Sequence, residues 1–493
     1  MKKLMSLVLV VMMALSFSVM AEEDVIKLTW ACGTGGVAPI DNAMVVEALN
    51  EISREKIGVE VEYIYFDGTQ IQNEIQAGAL YDIYFTCSWY NETNGAINAG
   101  LFADIAPVLQ NYPGVYNAMA PEIWALCTTP DGAIYTIPNR KDYAVINYFT
   151  YPVEKAQELG YEFPEKIESW DEMTDFLVDW KATIGENEYP VMLGGAVRGM
   201  DSSFDFINRD VKIGCTYGTT KVISMFEDPT IMSEFQTVAD WYELGLVNPD
   251  APTMTENAID TSLFRLDSVQ AWPGYSYSAS NGYETGMIRY FGPGVSKDGV
   301  QGSMNAISKA LENDPEKLDA AMKLFELIFT DQLYKDTLRY GKQGVHWDYV
   351  TAEQTDNEAL IGKVVYKYPG ASDNYAPWAF AQPDYFGTSF SVTEDQLAGK
   401  VDLPNLEQYN MYFDLIAAEP VTSAMGAFTW EFSKWEAQIA ELKNIYSEYY
   451  SSIATGAIDI DDVYDEMMGK LNAAGLQDMI ADAQEQLDAY LGK

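Results

Sequence analysis

Two hydrophobic periodicities alternate along the first hundred residues and predict a parallel sheet. Apolar side chains occupy every second position of Val59–Tyr65, and short apolar runs at Ile26–Cys32 and Tyr81–Cys87 predict two further strands. Between them, helical spacing predicts one helix that ends at Gly58 and a second over Thr69–Ala77. A β-α-β-α-β order implies parallel strands joined by right-handed crossovers.

Three loops follow the carboxyl ends of these strands, at Cys32–Gly36, Asp67–Thr69 and Thr86–Asn91. Ligands of open parallel sheets bind beyond this edge. Gly33, Gly35 and Gly36 lack the spacing of a dinucleotide-binding turn. A loop that lets a ligand approach the backbone is therefore favoured over a phosphate cradle.

The third loop, which contains Ser88, Trp89, Tyr90 and Asn91, offers an aromatic face beside an amide. Aromatic rings cover the apolar C–H face of a sugar, while amides and carboxylates bind its hydroxyl groups. This combination predicts a carbohydrate site. The alternative is that Trp89 packs under its own loop.

The second half of the chain repeats helix and strand patterns and ends in helices. Trp435, Ile439, Leu442 and Tyr446 step along one face of a predicted tail helix. Elsewhere we predict helices over 170–180, 231–244 and 318–329, and strands over 189–193, 268–277, 288–291 and 302–307. The only histidine, His346, has no second histidine at metal spacing, which favours a hydrogen bond within its loop.

The stretch Asp131–Phe149 is rich in residues that favour extended backbone and is interrupted by Pro138 and by the polar run 139–142. We interpret it as the first crossing between two lobes, where rotation about a few torsions could open and close a cleft. An ordinary buried strand with a bend is the alternative.

The amino terminus has the pattern of a secretory signal. Lys2 and Lys3 precede an apolar run from Leu4 to Met20, and Ala21 is followed by acidic residues, so we expect removal of residues 1–21. A single transmembrane anchor is the less favoured alternative. Cys32 lies too far beyond the run for lipidation, so we expect an exported, extracellular or periplasmic protein without a lipid anchor.

The charge, length and cysteine content of the chain restrict its possible partners, its number of domains and its disulfide bonds. The formal net charge of −44 repels nucleic acid and anionic membranes, and 493 residues exceed what one core can hold, so two or three domains are expected. Cys32, Cys87, Cys127 and Cys215 form no C-x-x-C pair; they permit three disulfide connectivities or remain buried thiols. We expect neither a metal nor a cofactor.

Several stretches resemble one large family. They are GALYDIYFTCSWYN at Gly78–Asn91, LFADIAPVL at Leu101–Leu109, PEIW with GAIYTIP up to Pro138, GSMNAIS at Gly302–Ser308 and YGKQGVHW at Tyr340–Trp347. The chain is similar to the extracellular solute-binding proteins of ABC importers, of the maltose-binding-protein type, in their lipoprotein-like branch. Gly426–Lys493 resembles the helical C-terminal domain of unknown function common in that branch. The lipidation cysteine of the branch is absent here, and Cys87 stands where many relatives have serine.

The resemblance implies an α/β, two-lobed periplasmic-binding-protein-like fold of type II with a helical C-terminal extension. We place lobe 1 at residues 22–140 plus about 285–345, lobe 2 at 141–284 plus about 346–425, and the helices, packed on the lobes, at 426–493. Ligand would close one lobe over the other and present the closed face to ABC permease subunits. A monomer is expected.

A carbohydrate, in particular an oligosaccharide, is the preferred ligand, with a peptide as the alternative. The candidate ligand-binding residues combine aromatic rings, hydroxyl groups, amides and guanidinium groups. They are Ser88, Trp89, Asn91, Arg140, Tyr143, Arg198, Trp272, Tyr275 and Trp347, with Trp378 as a weaker candidate.

Two other functions remain open from the sequence. A secreted glycoside hydrolase would also carry aromatic residues and many carboxylates, although 74 acidic residues make some suitable pair inevitable. A carbohydrate-binding surface module is the other. No catalytic residue is predicted, because the chain has no G-x-S-x-G elbow, Cys/His arrangement or zinc spacing.

Overall fold

The computed structural model describes residues 25–33, 35–141, 143–194, 203–254, 265–268, 284–375, 382–399 and 414–493. These residues form two compact units. The first draws on Met1–Pro121, Asp131–Lys141 and Gly302–Leu403. The second draws on Glu122–Pro130, Asp142–Gln301 and Pro404–Lys493.

Fifteen strands are described, mostly short. They are β1 Ile26–Gly33, β2 Val59–Phe66, β3 Ile83–Thr86, β4 Ile137–Pro138, β5 Ala144–Pro152, β6 Phe204–Asn208, β7 Ile213–Thr216, β8 Ile223–Ser224, β9 Arg265–Ser268, β10 Thr285–Val295, β11 Met304–Ile307, β12 Trp347–Tyr349, β13 Val365–Lys367, β14 Ser391–Val392 and β15 Val421–Thr422.

The α-helices of the first half, in chain order, are α1 Asn42–Ile57, α2 Gly68–Gln76, α3 Thr93–Asn98, α4 Ala106–Leu109, α5 Pro113–Tyr116, α6 Pro121–Ala125, α7 Val153–Glu158, α8 Thr174–Lys181 and α9 Pro229–Glu243. Those that follow are α10 Lys297–Gln301, α11 Pro315–Thr330, α12 Gln332–Tyr340, α13 Ala371–Asn374, α14 Glu394–Leu397, α15 Glu436–Ala454, α16 Ile460–Ala473 and α17 Leu476–Tyr490. Short 3₁₀ turns lie at Trp170–Met173, Met225–Glu227, Ala251–Thr253, Lys309–Asn313 and Ser433–Trp435.

The first unit is built on a five-stranded sheet of order β2-β1-β3-β11-β4. Strands β1, β2 and β3 are parallel, which confirms the predicted β-α-β-α-β order, and β11 runs antiparallel to β3 and β4. Helix α1 ends at Gly58, whose positive φ of 68° suits glycine, as predicted. The carboxyl ends of β1 and β3 therefore bring the loops after Gly33 and Thr86 to one edge.

The second unit contains a four-stranded sheet of order β15-β10-β5-β9, in which β5 pairs antiparallel with β10 and β9. A smaller antiparallel sheet joins β6, β7 and β8. Helices α15, α16 and α17 pack apolar side chains into the same core, including Leu442, Ile453, Leu471 and Leu487. The C-terminal helices are thus part of this unit.

The division differs from our predicted lobes in three places. Residues 122–130 belong to the second unit, whereas we placed them in lobe 1. Thr285–Val295 pairs with Ala144–Pro152 in the second unit, whereas we placed it in lobe 1. Residues 346–375 and 382–399 belong to the first unit, where the His346 Nε2 atom lies 3.1 Å from the Asp41 Oδ2 atom; we placed them in lobe 2. The reason is that strand pairing across long sequence separations leaves no local pattern.

Candidate functional site

The loop after β3 is a tight turn held by its own polar groups. The backbone N–H groups of Tyr90 and Asn91 both donate to the Cys87 carbonyl at 3.3 Å. The Asn91 amide donates to the Phe85 carbonyl at 3.1 Å and accepts from the Thr86 hydroxyl at 2.8 Å. Because Asn91 is only 5% exposed, its amide shapes the turn. Our expectation that this amide faces a ligand is corrected accordingly.

Trp89 stands out from this turn with an exposed ring. Its relative exposure is 56%, and its indole N–H donates to the Gly302 carbonyl at 2.8 Å. The rings of Phe85 and Tyr90 support it at centroid distances of 6.0 and 6.1 Å. The neighbouring Ser88 is also exposed. A large ring fixed in orientation and open to solvent is a suitable stacking surface for a sugar.

Two glycines of the first loop, Gly33 and Gly36, lie close against other side chains of the protein. A Cβ atom on Gly33 would collide with the Phe85 ring, and Gly36 has a φ of +78° with the Gln70 amide against it. The N-terminus of α2 is capped by Asp67, whose carboxylate accepts the Gln70 N–H at 2.7 Å. Gly33 and Gly36 therefore allow close approach between neighbouring segments of the protein.

Arg140 lies at the last part of the first unit before the chain crosses. Its Nε atom donates to the Asp384 carboxylate at 2.7 Å, and its backbone N–H and carbonyl bond to Pro383 and Phe386. Asp384 has no exposed surface and also accepts from the Lys335 ammonium at 2.7 Å. The Arg140 side chain keeps 38% exposure. Its contact with a ligand stays a prediction.

Tyr143 begins the second unit after the crossing and is half-buried. Burial raises the pKa of its hydroxyl, and the carboxylate of Glu122 acts in the same direction. The Tyr143 hydroxyl is therefore protonated at neutral pH and able to donate a hydrogen bond. Its role in binding also stays a prediction.

Trp347 is the second candidate ligand-binding residue whose side chain lies in the protein interior. It has no exposed surface, its indole N–H donates to the Gly341 carbonyl at 2.6 Å, and Tyr349 packs on it edge-on at 5.1 Å. It is a core residue of the first unit. The prediction that the adjacent His346 makes a hydrogen bond within its loop is confirmed. Its Nδ1 atom accepts from the Lys342 N–H at 3.0 Å, so Nε2 carries the proton and donates to Asp41.

The remaining candidates, Arg198, Trp272, Tyr275 and Trp378, lie outside the described residues. The aromatic and cationic part of the site that we expected from lobe 2 is thus still a prediction.

The four cysteines are buried free thiols, which settles the alternative left open by the sequence. Burial raises the pKa of Cys32, and it raises the pKa values of Cys87 and Cys215 to about 12. Thiols with raised pKa values carry little thiolate and react slowly. Cys87 accordingly lines the protein interior beneath the Trp89 turn.

The second unit contains a cavity that the sequence did not predict. It has a volume of about 660 Å³, and its walls combine aromatic rings with amides and carboxylates, including those of Trp180, Asn187, Glu188, Tyr189, Asn248 and Asp250. These residues come from two stretches, 180–192 and 248–250. No spacing pattern in the sequence brings the two together.

Within the described part of the chain, no group of three or more His, Cys, Asp or Glu side chains could hold a metal ion. A search of the same residues for a helix long and apolar enough to cross a membrane also found none.

Comparison with known proteins shows what the chain is similar to. Residues 424–492 match the domain of unknown function DUF3502. The fold is that of the two-lobed α/β solute-binding proteins, with a helical C-terminal region, so the resemblance and the fold class predicted from the sequence are confirmed.

The individual relatives are distant in sequence. A carbohydrate ABC transporter substrate-binding protein of Streptococcus pneumoniae is 22% identical over 461 residues, covering 90% of this chain and 87% of that protein. The crystal structure of the N-glycan transport solute binding protein NgtS from Streptococcus pneumoniae has a TM-score of 0.79 at 17% identity and covers 95% of this chain and 99% of NgtS. NgtS in complex with Man5GlcNAc has a TM-score of 0.63 at 19% identity, with coverages of 94% and 98%.

Proposed function

We propose that this protein is the extracellular solute-binding component of an ABC importer and that it captures an oligosaccharide by closure of two lobes. The exposed ring of Trp89, fixed by its bond to Gly302 at the carboxyl edge of the first sheet, is the observation that carries the proposal. The fold and the transport role named for the relatives support it.

An oligosaccharide fits this surface better than a peptide. Trp89 offers an apolar face for sugar C–H groups, and the exposed Ser88 beside it offers a hydroxyl. NgtS has been crystallised with Man5GlcNAc and with Man1GlcNAc, so at least one protein of this fold binds glycans. We assign Arg140 and Tyr143 to the crossing side of the site, and Arg198, Trp272 and Tyr275 to the second lobe.

The role is binding without turnover. Stacking and hydrogen bonding fix a sugar without activating a nucleophile. Closure is favoured to the extent that the ligand contacts the closed state better than the open one. The ligand would then pass intact to permease subunits in the membrane. The expected signal sequence places the protein outside the cytoplasm, and its net charge of −44 disfavours nucleic acid as a partner.

The direct test is calorimetric titration of the mature protein with Man5GlcNAc, Man1GlcNAc and a set of short peptides. We expect saturable binding of at least one glycan and recovery of that glycan unchanged by mass spectrometry. Trp89→Ala is expected to weaken binding about ten-fold or more, because it removes the stacking face.

Phe432→Ala serves as the matched control, since Phe432 is an aromatic residue of the C-terminal region with 41% exposure. Its affinity should equal that of the wild type. Hydrolysis of the glycan, binding of peptides alone, or normal binding by Trp89→Ala would each contradict the proposal.

A further inference from the structure

The chain passes between the two units at several points, and two segments of the first unit that border such points are hydrogen-bonded to each other. The Asn139 N–H donates to the Ser303 carbonyl at 3.0 Å, and the Asn139 amide donates to the Ser303 hydroxyl at 2.7 Å. The Asn305 amide donates to the Asn139 side chain at 2.8 Å. All three residues are buried, so this network is sheltered from water and holds its geometry.

One crossing between the units passes from Gln301 to Gly302, and each side of that peptide is anchored to its own unit. The Gln301 amide donates to the Leu126 carbonyl at 2.6 Å within the second unit. On the other side, Gly302 accepts the indole N–H of Trp89 within the first unit. Rotation at this crossing must therefore be absorbed by the few torsions between the two anchors. A glycine at position 302 gives those torsions a wide range.

Gly299 strengthens the anchor on the second unit. A Cβ atom at this position would collide with the Tyr143 carbonyl, so helix α10 packs directly on the chain at the start of β5. The residues left between the two anchors of this crossing are therefore few.

We propose that Trp89 is a positioning residue that couples ligand contact to the crossing between Gln301 and Gly302. This inference rests on the proposed function. One face of the indole stacks on the sugar. Its N–H group is bonded to the Gly302 carbonyl, next to the backbone torsions at which the chain can rotate. A ligand that immobilises the ring thereby restrains the crossing and favours one arrangement of the lobes. Among the aromatic residues, only tryptophan combines a large face with an N–H donor on the ring.

The test compares Trp89→Phe with the wild type by hydrogen exchange measured with mass spectrometry. The substitution keeps an aromatic ring at position 89 but removes the indole N–H group. Without ligand, Trp89→Phe is expected to speed exchange of the Asn139 amide, which is bonded to Ser303, about five-fold, the effect of one net hydrogen bond. With saturating Man5GlcNAc, the wild type should show slower exchange across residues 300–305. Trp89→Phe should still bind the glycan but lose that slowing.

The matched control is Trp435→Phe, which removes a comparable indole bond of 2.9 Å, to Asp482, in the C-terminal helices. It should leave exchange at Asn139 and at 300–305 as in the wild type. Unchanged ligand-free exchange in Trp89→Phe, or binding with the full slowing, would overturn the inference. If the wild type binds no oligosaccharide, the proposed function fails, whereas the ligand-free comparison still decides whether Trp89 anchors the crossing.

Discussion

At the scale of single residues, buried polar groups do two different things in this protein. Asp384 is fully buried but bonded to Lys335, Arg140 and the Gly387 N–H, so its charge is compensated. Asp205 is 3% exposed, and its Oδ2 atom has no hydrogen-bond partner among the described residues. The Asp384 carboxylate stabilises the chain before it crosses to the second unit. The Asp205 carboxyl, in contrast, makes the stability of the protein depend on pH.

Burial raises the pKa of Asp205 to about 7, with a further increase from Asp298 and opposing effects from Ser423 and Arg209. Between the ordinary value of 3.8 and about 7, the folded protein keeps a proton that the unfolded chain has released. Stability should therefore fall as pH rises through this window, by at most about 1.4 kcal/mol per pH unit from this group. Asp205→Asn removes the contribution.

Urea unfolding at several pH values between 4 and 7 measures this effect. The difference in unfolding free energy between Asp205→Asn and the wild type should grow in favour of the variant as pH rises. A constant difference across the window would show that Asp205 does not titrate there.

At residue scale, sequence reasoning chose two candidates, Asn91 and Trp347, whose side chains the structure buries. Trp89 and Trp347 are the same residue type next to similar patterns, yet one is exposed and the other is fully buried. Residue type does not determine burial, because aromatic side chains are suited both to cores and to binding surfaces. Asn91 was misassigned for a related reason, since an amide can satisfy its own turn as well as a ligand.

At the scale of elements, the C-terminal helices complete the core of the second unit. Tyr446 of α15 stacks on Phe226 at 5.8 Å and donates to the Val211 carbonyl at 2.9 Å. Gln484 of α17 accepts the Val222 N–H at 2.8 Å. The region that matches DUF3502 is therefore bound into the unit by both apolar and polar contacts.

Leu442→Ala tests this integration, because Leu442 is fully buried in α15. The lost side-chain burial and the cavity left behind should lower the unfolding free energy by about 2–5 kcal/mol. Leu491→Ala, at the half-buried end of the chain, is the control and should cost clearly less. Equal and small losses would indicate that the helices contribute little to the core.

Periodicity predicted most elements correctly, and the pairing of β1, β2 and β3, but not the strand pairs that join distant parts of the chain. The predicted strands at Val59–Tyr65 and Ile26–Cys32 and the tail helices lie within a few residues of their observed bounds. The predicted strand over 189–193 is only a bridge between Val191 and Val247. Long-range pairing, such as that of β5 with β10, depends on which edges meet in the folded chain, and no local pattern encodes it.

At the scale of the whole molecule, the account requires that two units change their arrangement around a solute that is not consumed. The crossing between Gln301 and Gly302 is anchored on each side and leaves only a few torsions between the anchors, which is the construction expected of a hinge. A strongly negative net charge keeps such a protein soluble while it diffuses to a membrane partner.

Small-angle X-ray scattering of the mature protein, titrated with Man5GlcNAc and a set of related oligosaccharides, tests this requirement most directly. The account predicts a saturable decrease in the radius of gyration with at least one oligosaccharide, at concentrations that match its calorimetric affinity. An unchanged radius of gyration at saturation by an oligosaccharide that binds would contradict it.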